Sequence, residues 1–259
     1  MIRIILNGYN GKMGQVITQL AAQSEDFVIV AGVDVTEPQD AKIPFFTDIA
    51  QCNISCDCVV DYSSPVATEG LLAYCDKHQL PCVLCTTGLS DEQIQKVNAI
   101  ASHIPILRSA NMSLGINLLL SIVKSVSRTL VPAGFDVEIV EKHHHLKKDA
   151  PSGTALALAE SVNEEFDHQL QVVTDRSQNK DIRDTKEIGI SSVRAGSIVG
   201  EHDVIFAGID EVITLSHAAY SKAVFGKGTL EAARFIVGKP AGLYTMQDVV
   251  SKKSDSDVF

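Results

Sequence analysis

Residues 2–34 read IRIILNGYNGKMGQVITQLAAQSEDFVIVAGVD, and the order of patterns in this stretch decides the fold. Ile2–Leu6 is a continuous apolar run ending at Asn7-Gly8, the form of a short buried strand. Met13, Val16, Ile17, Leu20 and Ala21 then recur at the spacing of one helix face. Residues 27–34 are a second strand-like run. Between the first strand and the helix lies Gly8-Tyr9-Asn10-Gly11-Lys12-Met13-Gly14, where a phosphate-binding turn belongs. Gly8 permits the tight turn, Gly11 the close approach of a pyrophosphate, and Gly14 the packing of helix on sheet. Asn10 stands where the common fingerprint has its second glycine, and asparagine tolerates left-handed backbone. The pyrophosphate would sit at the helix N-terminus.

Asp34 ends the second strand, where a carboxylate accepts hydrogen bonds from ribose hydroxyls. The same charge repels a 2′-phosphate, so the expectation is NADH preferred, with Lys12 leaving dual use with NADPH open. A flavodoxin-like or sugar-binding sheet also needs glycine in its first turn; Asp34 weighs against that reading.

Further along, strands are expected at 56–64, 81–88 and 105–110, and helices at 66–78 and after Ser90. Ser90-Asp91-Glu92-Gln93 has the capping-box pattern. This alternation implies a parallel sheet covered on both faces. The pattern changes after Asn111. An apolar helix at 113–130 precedes a strand over FDVEIVEKHHH, a helix over SGTALALAESVNEEF and a loop-like stretch at 170–185. Longer alternating strands follow, joined near Gly196–Gly200, and imply an antiparallel or mixed sheet. Residues 228–250 read as helical and are expected to pack back on the first sheet, with the polar tail 252–259 frayed. The fold class is therefore α/β, a Rossmann-type dinucleotide-binding domain (1–113 plus 222–259) with a second α+β domain on a mixed sheet (114–221).

The chain has 259 residues, 45% hydrophobic and 21% charged, an ordinary globular composition. A net charge of −10 without a basic block argues against nucleic-acid binding. No long apolar run suggests a membrane span, and the absence of a signal-peptide pattern leads to the expectation of a cytoplasmic protein. Cys82 and Cys85 form a C-x-x-C, but an i, i+3 spacing puts them on opposite faces of a strand, so small buried hydrophobes are expected. Cys52, Cys56 and Cys58 receive the same reading.

Residues 141–155, EKHHHLKKDAPSGTA, carry the chemistry. On a strand His143 and His145 would share a face, too few for a catalytic zinc that usually takes three protein ligands, and Lys147 and Lys148 repel a dication. No metal is expected. Ser152 is a candidate helix N-cap, and the amides of Gly153 and Thr154 with the Thr154 hydroxyl suit a carboxylate. Lys147 adds positive charge, as a site for a dianion or a developing anion requires.

This segment resembles the signature of the 4-hydroxy-tetrahydrodipicolinate reductase (dihydrodipicolinate reductase) family, E-x-H-H-x-x-K-x-D-x-P-S-G-T-A. The resemblance extends to the glycine turn, Thr86-Thr87-Gly88, Asn111-Met112-Ser113 and the run from Arg194 to His202. It implies reduction of a cyclic dicarboxylate imine in diaminopimelate and lysine biosynthesis with NADH or NADPH, and a homotetramer built through the second sheet. It implies His143 as proton donor, Lys147 as its cationic partner, His144 against substrate, and Gly153 and Thr154 on a substrate carboxylate. Gly8 to Met13, Asp34, Cys85, Thr86, Thr87, Ser109, Ala110, Asn111 and Met112 would line the cofactor. Cys85 stands where the family usually has glycine, which would crowd the nicotinamide side, and Lys222 where arginine is common. A related imine or aldehyde reductase, and a non-catalytic dinucleotide sensor, are the competing readings. The sensor leaves His143, Lys147, Gly153 and Thr154 together without a purpose.

Overall fold

In the computed structural model, which describes residues 1–38, 42–177 and 180–256, the chain divides into two compact units. One comprises Met1–Leu114 with the segment from Lys222 on; the other is Gly115–Ser221.

The first unit is a seven-stranded parallel sheet. Its strands are β1 (Ile2–Asn7), β2 (Phe27–Val33), β3 (Phe45–Phe46), β4 (Cys58–Asp61), β5 (Cys82–Leu84), β6 (Pro105–Arg108) and β12 (Gly242–Tyr244), in the order β12-β6-β5-β4-β1-β2-β3. Apolar runs form its centre because both faces are covered. Ile4 and Leu6 of β1 pack with α1 (Lys12–Ala22), α6 (Ala223–Ile236) and α7 (Met246–Ser256), while Ile5 packs with α2 (Thr68–His78) and α3 (Asp91–Ile100). Ser90 caps α3 in the anticipated capping box with Gln93. Cys82 lies in one of these cores and Cys85 in the other, on opposite faces as the strand period requires, and all six cysteines are free.

The end of the chain is not wholly helical. Residues 242–244 form β12, parallel to β6, and the two-residue β3 extends the other edge. Strands of two or three residues are too short to show a period of two. Backbone helix α7 reaches Ser256; the remainder of the tail expected to fray, 257–259, lies outside the described residues.

The second unit carries a mixed sheet in the order β11-β10-β7-β9-β8, formed by β7 (Asp136–His143), β8 (Gln171–Val173), β9 (Glu187–Arg194), β10 (Gly200–Ala207) and β11 (Val212–Ala219). β7 is antiparallel to β10 and parallel to β9. Val137 and Ile139 of β7 face α4 (Leu114–Leu130) and α5 (Gly153–Asn163), whose Val123, Leu158 and Val162 complete the core. The stretch expected to be loop-like begins with β8. Arg176 and Arg183, beyond it, pair with Glu138 on the opposite sheet face, and Arg183 also binds Asp136 at 2.6 Å. Residues 178–179 of that stretch lie outside the described residues.

Candidate active site

In the first unit the glycine turn closes on itself. Gly8 has φ +85°, and a Cβ there would stand 2.5 Å from the Tyr62 carbonyl oxygen; a Cβ at Gly14 would stand 2.3 Å from the Gly8 oxygen. Only glycine satisfies both positions. Gly11 caps α1 without a side-chain hydrogen bond, which leaves the amides of its first turn available to solvent or an anion. The Asn10 amide donates to Asp34 Oδ2 at 2.9 Å, and the Val35 amide to Oδ1 at 2.8 Å. The Asn10 side chain donates to the Thr36 carbonyl. The asparagine in place of glycine thus ties the turn to the chain beyond β2.

A cleft of about 450 Å³ runs along these residues, lined by Gly8, Gly11, Asp34, Asp48, Tyr62 and Ser63 among others. Lys12 is exposed beside it, and Tyr9 and Met13 are half-buried. Asp48 and Ser63 were not anticipated. Asp48 follows a strand too short to be seen in sequence, and Ser63 lacks any local motif. Thr86 is buried at the carboxyl end of β5, and Thr87 is exposed. Ser109 Oγ accepts from the Asn111 amide and donates to its carbonyl, around an exposed Ala110. Two anticipated cofactor contacts have side chains elsewhere: Met112 packs in the core, and Cys85 is buried in the same core, its thiol pushed up by desolvation. Only their backbones remain to meet a ligand, so Cys85 does not crowd the site with its sulfur.

In the second unit β7 ends at His143, whose carbonyl accepts from the Ala195 amide at 2.8 Å. His144 and His145 therefore stand in a turn rather than on the anticipated strand, with the His145 amide donating to Gly196 and the Lys147 amide to His144. Period two places Glu141 on the same buried face as His143. The His143 Nδ1 lies 2.6 Å from Glu141 Oε2. Arg194, opposite His143 in the β7–β9 register, grips both Glu141 oxygens at 2.8 Å. The Ser152 amide adds a further donor at 3.1 Å. Burial pushes the Glu141 carboxyl up, but Arg194 and the other donors outweigh it and hold it at about 2. With Glu141 ionised, His143 Nδ1 carries the proton and Nε2 is the exchanging nitrogen. A Cβ at Gly200 would approach that Nε2 to 3.1 Å, so Gly200 keeps space there.

His143 is held below its ordinary value by burial, against the opposing pull of Glu141; Lys147 and Arg194 push the same way as burial. His202 sits opposite Glu141 on β10, edge-on to the His143 ring at 5.2 Å and 3.1 Å from Ser152 Oγ. Burial holds it at about 4, a neutral imidazole at physiological pH. Lys147 Nζ pairs with Asp149 at 2.8 Å. His144 has a buried Nδ1 without a hydrogen-bond partner. Ser152 caps α5 through the Ala155 amide, as its sequence position suggests, and Gly153 and Thr154 form the first turn, the positive end of the helix dipole. Among the described residues no group of three or more His, Cys, Asp or Glu is arranged to hold a metal ion. Glu141, Arg194 and His202 were visible in the sequence only as motif letters. The Glu-x-His spacing on a strand was the available signal for Glu141; Arg194 and His202 needed the register.

A glycine-turned parallel sheet and a second, mixed-sheet unit with a buried histidine–carboxylate pair define a two-unit α/β protein with a Rossmann-like first unit. The chain belongs to the dihydrodipicolinate reductase family: residues 2–112 match the profile described as its N-terminus and residues 115–250 that of its C-terminus. It is 50% identical over 253 residues to the 4-hydroxy-tetrahydrodipicolinate reductase of Caldanaerobacter subterraneus subsp. tengcongensis, covering 97% of this chain and 99% of that one. It is 46% identical to the enzyme of the same name from Clostridium tetani, covering 95% and 96%. The fold is that of a dipicolinate-bound dihydrodipicolinate reductase from Paenisporosarcina sp. TG-14, with a TM-score of 0.80 at 24% identity over 95% of this chain and 97% of that one.

Proposed function

We propose that this chain reduces 4-hydroxy-tetrahydrodipicolinate to tetrahydrodipicolinate, in the diaminopimelate route to lysine. The observation that carries the reading is the Arg194–Glu141–His143 relay beside the N-terminus of α5. The first unit fits a nicotinamide dinucleotide: Gly8 to Met13 for the pyrophosphate, Asp34 for the adenosine ribose, and Thr86, Thr87 and Ser109 to Asn111 for the nicotinamide half. When bound, NADH or NADPH supplies a hydride.

The substrate ring loses water and takes the hydride at an unsaturated carbon, which leaves an enamine-like anion. Gly153 and Thr154 hold one carboxylate at the helix end. Lys147 exchanges Asp149 for the second carboxylate or the developing charge, and His144 borders the ring. His143 delivers the proton from Nε2 while Glu141 holds Nδ1–H, and Arg194 keeps Glu141 ionised. A dianion beside His143 raises the affinity of its imidazole for a proton, so the acid is charged when substrate is present.

The enzyme works in the cytoplasm as a homotetramer joined through the second sheet. The half-exposed Val193, Val212 and Ile213 on its strands support that assembly. No described helix is long and apolar enough to cross a membrane.

The deciding assay couples the protein to dihydrodipicolinate synthase, which supplies the unstable substrate, and follows NADH and NADPH oxidation separately. Synthase-dependent oxidation is expected with one or both; its absence with both would reject the assignment. Light scattering at micromolar protein is expected to give the mass of a tetramer.

A further inference from the structure

One buried acid plays no part in this mechanism. Asp61 ends β4 with no exposed surface, between the carboxyl ends of β1 and β5. Its Oδ1 accepts from Asn7 Nδ2 at 2.8 Å, from Ser63 Oγ at 2.6 Å and from the Ser63 amide at 3.3 Å. Its Oδ2 accepts from Thr86 Oγ1 at 2.6 Å. All four groups donate, and no cation belongs to the network. A buried carboxylate without a cation is costly, and burial accordingly pushes its pKa up against the four donors.

The consequence lies in the hydroxyls. Each has one proton and two lone pairs. Thr86 spends its proton on Asp61, so toward a ligand it can only accept. Asparagine would fill the same space but present an NH₂ group as well as an oxygen. Facing Thr86, that NH₂ would send the hydroxyl proton outward and turn the acceptor into a donor.

The place of Thr86 in the sheet says what it meets. Ligands of open parallel sheets lie beyond the carboxyl ends of the strands. Asp34, the ribose carboxylate, follows β2 on one side of β1, and Thr86 follows β5 on the other. A dinucleotide with its pyrophosphate on the Gly8–Gly14 turn therefore extends its nicotinamide half toward Thr86. That half carries one strong N–H donor, the carboxamide. We propose that Asp61 is a positioning residue that fixes the Thr86 hydroxyl as an acceptor for the nicotinamide carboxamide. This rests on the dinucleotide reading above.

Titration calorimetry with NADH and with the reduced 3-acetylpyridine analogue, which has a methyl ketone in place of the carboxamide and no N–H to give, tests the proposal without turnover. In Asp61→Asn, NADH binding is expected to weaken about tenfold or more, as for a buried hydrogen bond lost and left unmatched. Analogue binding is expected to change by less than about twofold, because it never used that bond. Thr86→Val is expected to reproduce the selective loss and Thr86→Ser to restore NADH binding, which keeps the test decisive if Asp61→Asn does not fold. Equal weakening of both ligands, or no weakening of either, in Asp61→Asn and Thr86→Val would overturn the proposal alone. A wild type that binds neither ligand would overturn the dinucleotide reading and the proposal with it.

Discussion

The two candidate sites are made of different material. At Gly8–Gly14 the working parts are backbone amides and the space left by missing Cβ atoms, and the partners are close in sequence. At His143 the working parts are side chains drawn from β7, β9, β10 and the cap of α5. Glu141 alone accepts from Arg194, His143 and Ser152. A backbone site is robust to changes of its side chains and fragile to an added Cβ. A side-chain relay is fragile to the loss of any one partner, because each buried polar group then loses its match.

The largest test of that contrast is His143→Ala. It is expected to lower kcat by about 10²–10⁴, the usual worth of a general acid, with the NADH dissociation constant unchanged. Near-normal kcat would remove His143 from the mechanism. A parallel loss of NADH affinity would mean that the two sites are not separable in function.

Glu141→Gln probes the relay itself. It leaves the Arg194 guanidinium without its carboxylate and is expected to cost about 3–5 kcal/mol of stability, the range for breaking a buried pair. The sign with pH follows from the depressed carboxyl. Its ordinary value is 4.5 and its folded value about 2, so its contribution is complete above 4.5 and lost as pH falls toward 2. Urea unfolding of wild type and variant from pH 7 down to 3 is expected to show the gap closing over that window. A constant gap would mean that Glu141 acts by packing.

The same contrast explains what was legible in the sequence. Strand β1, the glycine turn, helix α1 and Asp34 declare themselves by spacing alone, because a βαβ unit is a local structure. The capping box at Ser90 and the cap at Ser152 are equally local. The charge of Lys147 was legible beside the Gly153–Thr154 turn, whereas the proton-donor role of His143 came from a resemblance, and the reason for it did not. Arg194 and His202 reach Glu141 only through strand register, and no short-range pattern encodes a register between β7 and strands roughly 50 and 60 residues away. β3 and β12 are shorter than the period that would reveal them. The histidine run misled in detail, since three like residues on an extended pattern do not show that the strand stops at His143.

A smaller effect is expected in the pH profiles. His143 sits below 6.5 in the free enzyme because of burial, so kcat/KM is expected to fall with rising pH from a point below 6.5. Bound dianion favours the imidazolium, so the corresponding limb in kcat is expected at higher pH. Coincident limbs would mean that the substrate carboxylates do not bear on His143. Lys147→Met, which keeps length without charge, is expected to damage both constants; full activity would make Lys147 a packing residue.

The smallest and most specific effect concerns Asp34, where a side chain enters the backbone site. Its oxygens take one amide each, from Asn10 and Val35, which fixes the carboxylate while leaving lone pairs for ribose hydroxyls. A 2′-phosphate meets the same charge with repulsion, softened by solvent and by the exposed Lys12. The expected outcome is NADH preferred or both cofactors used. Asp34→Ser removes the repulsion and keeps one polar group, so it is expected to weaken NADH and improve NADPH relative to it. Lys12→Ala is expected to hurt NADPH more than NADH. Added salt should narrow the gap between cofactors, since screening weakens exposed charge pairs. Steady-state kcat/KM for both cofactors in wild type and Asp34→Ser decides the point. A wild type favouring NADPH by tenfold, about 1.4 kcal/mol, would show that Lys12 outweighs Asp34. The turn would then owe its selectivity to an exposed side chain rather than to the carboxylate its amides hold.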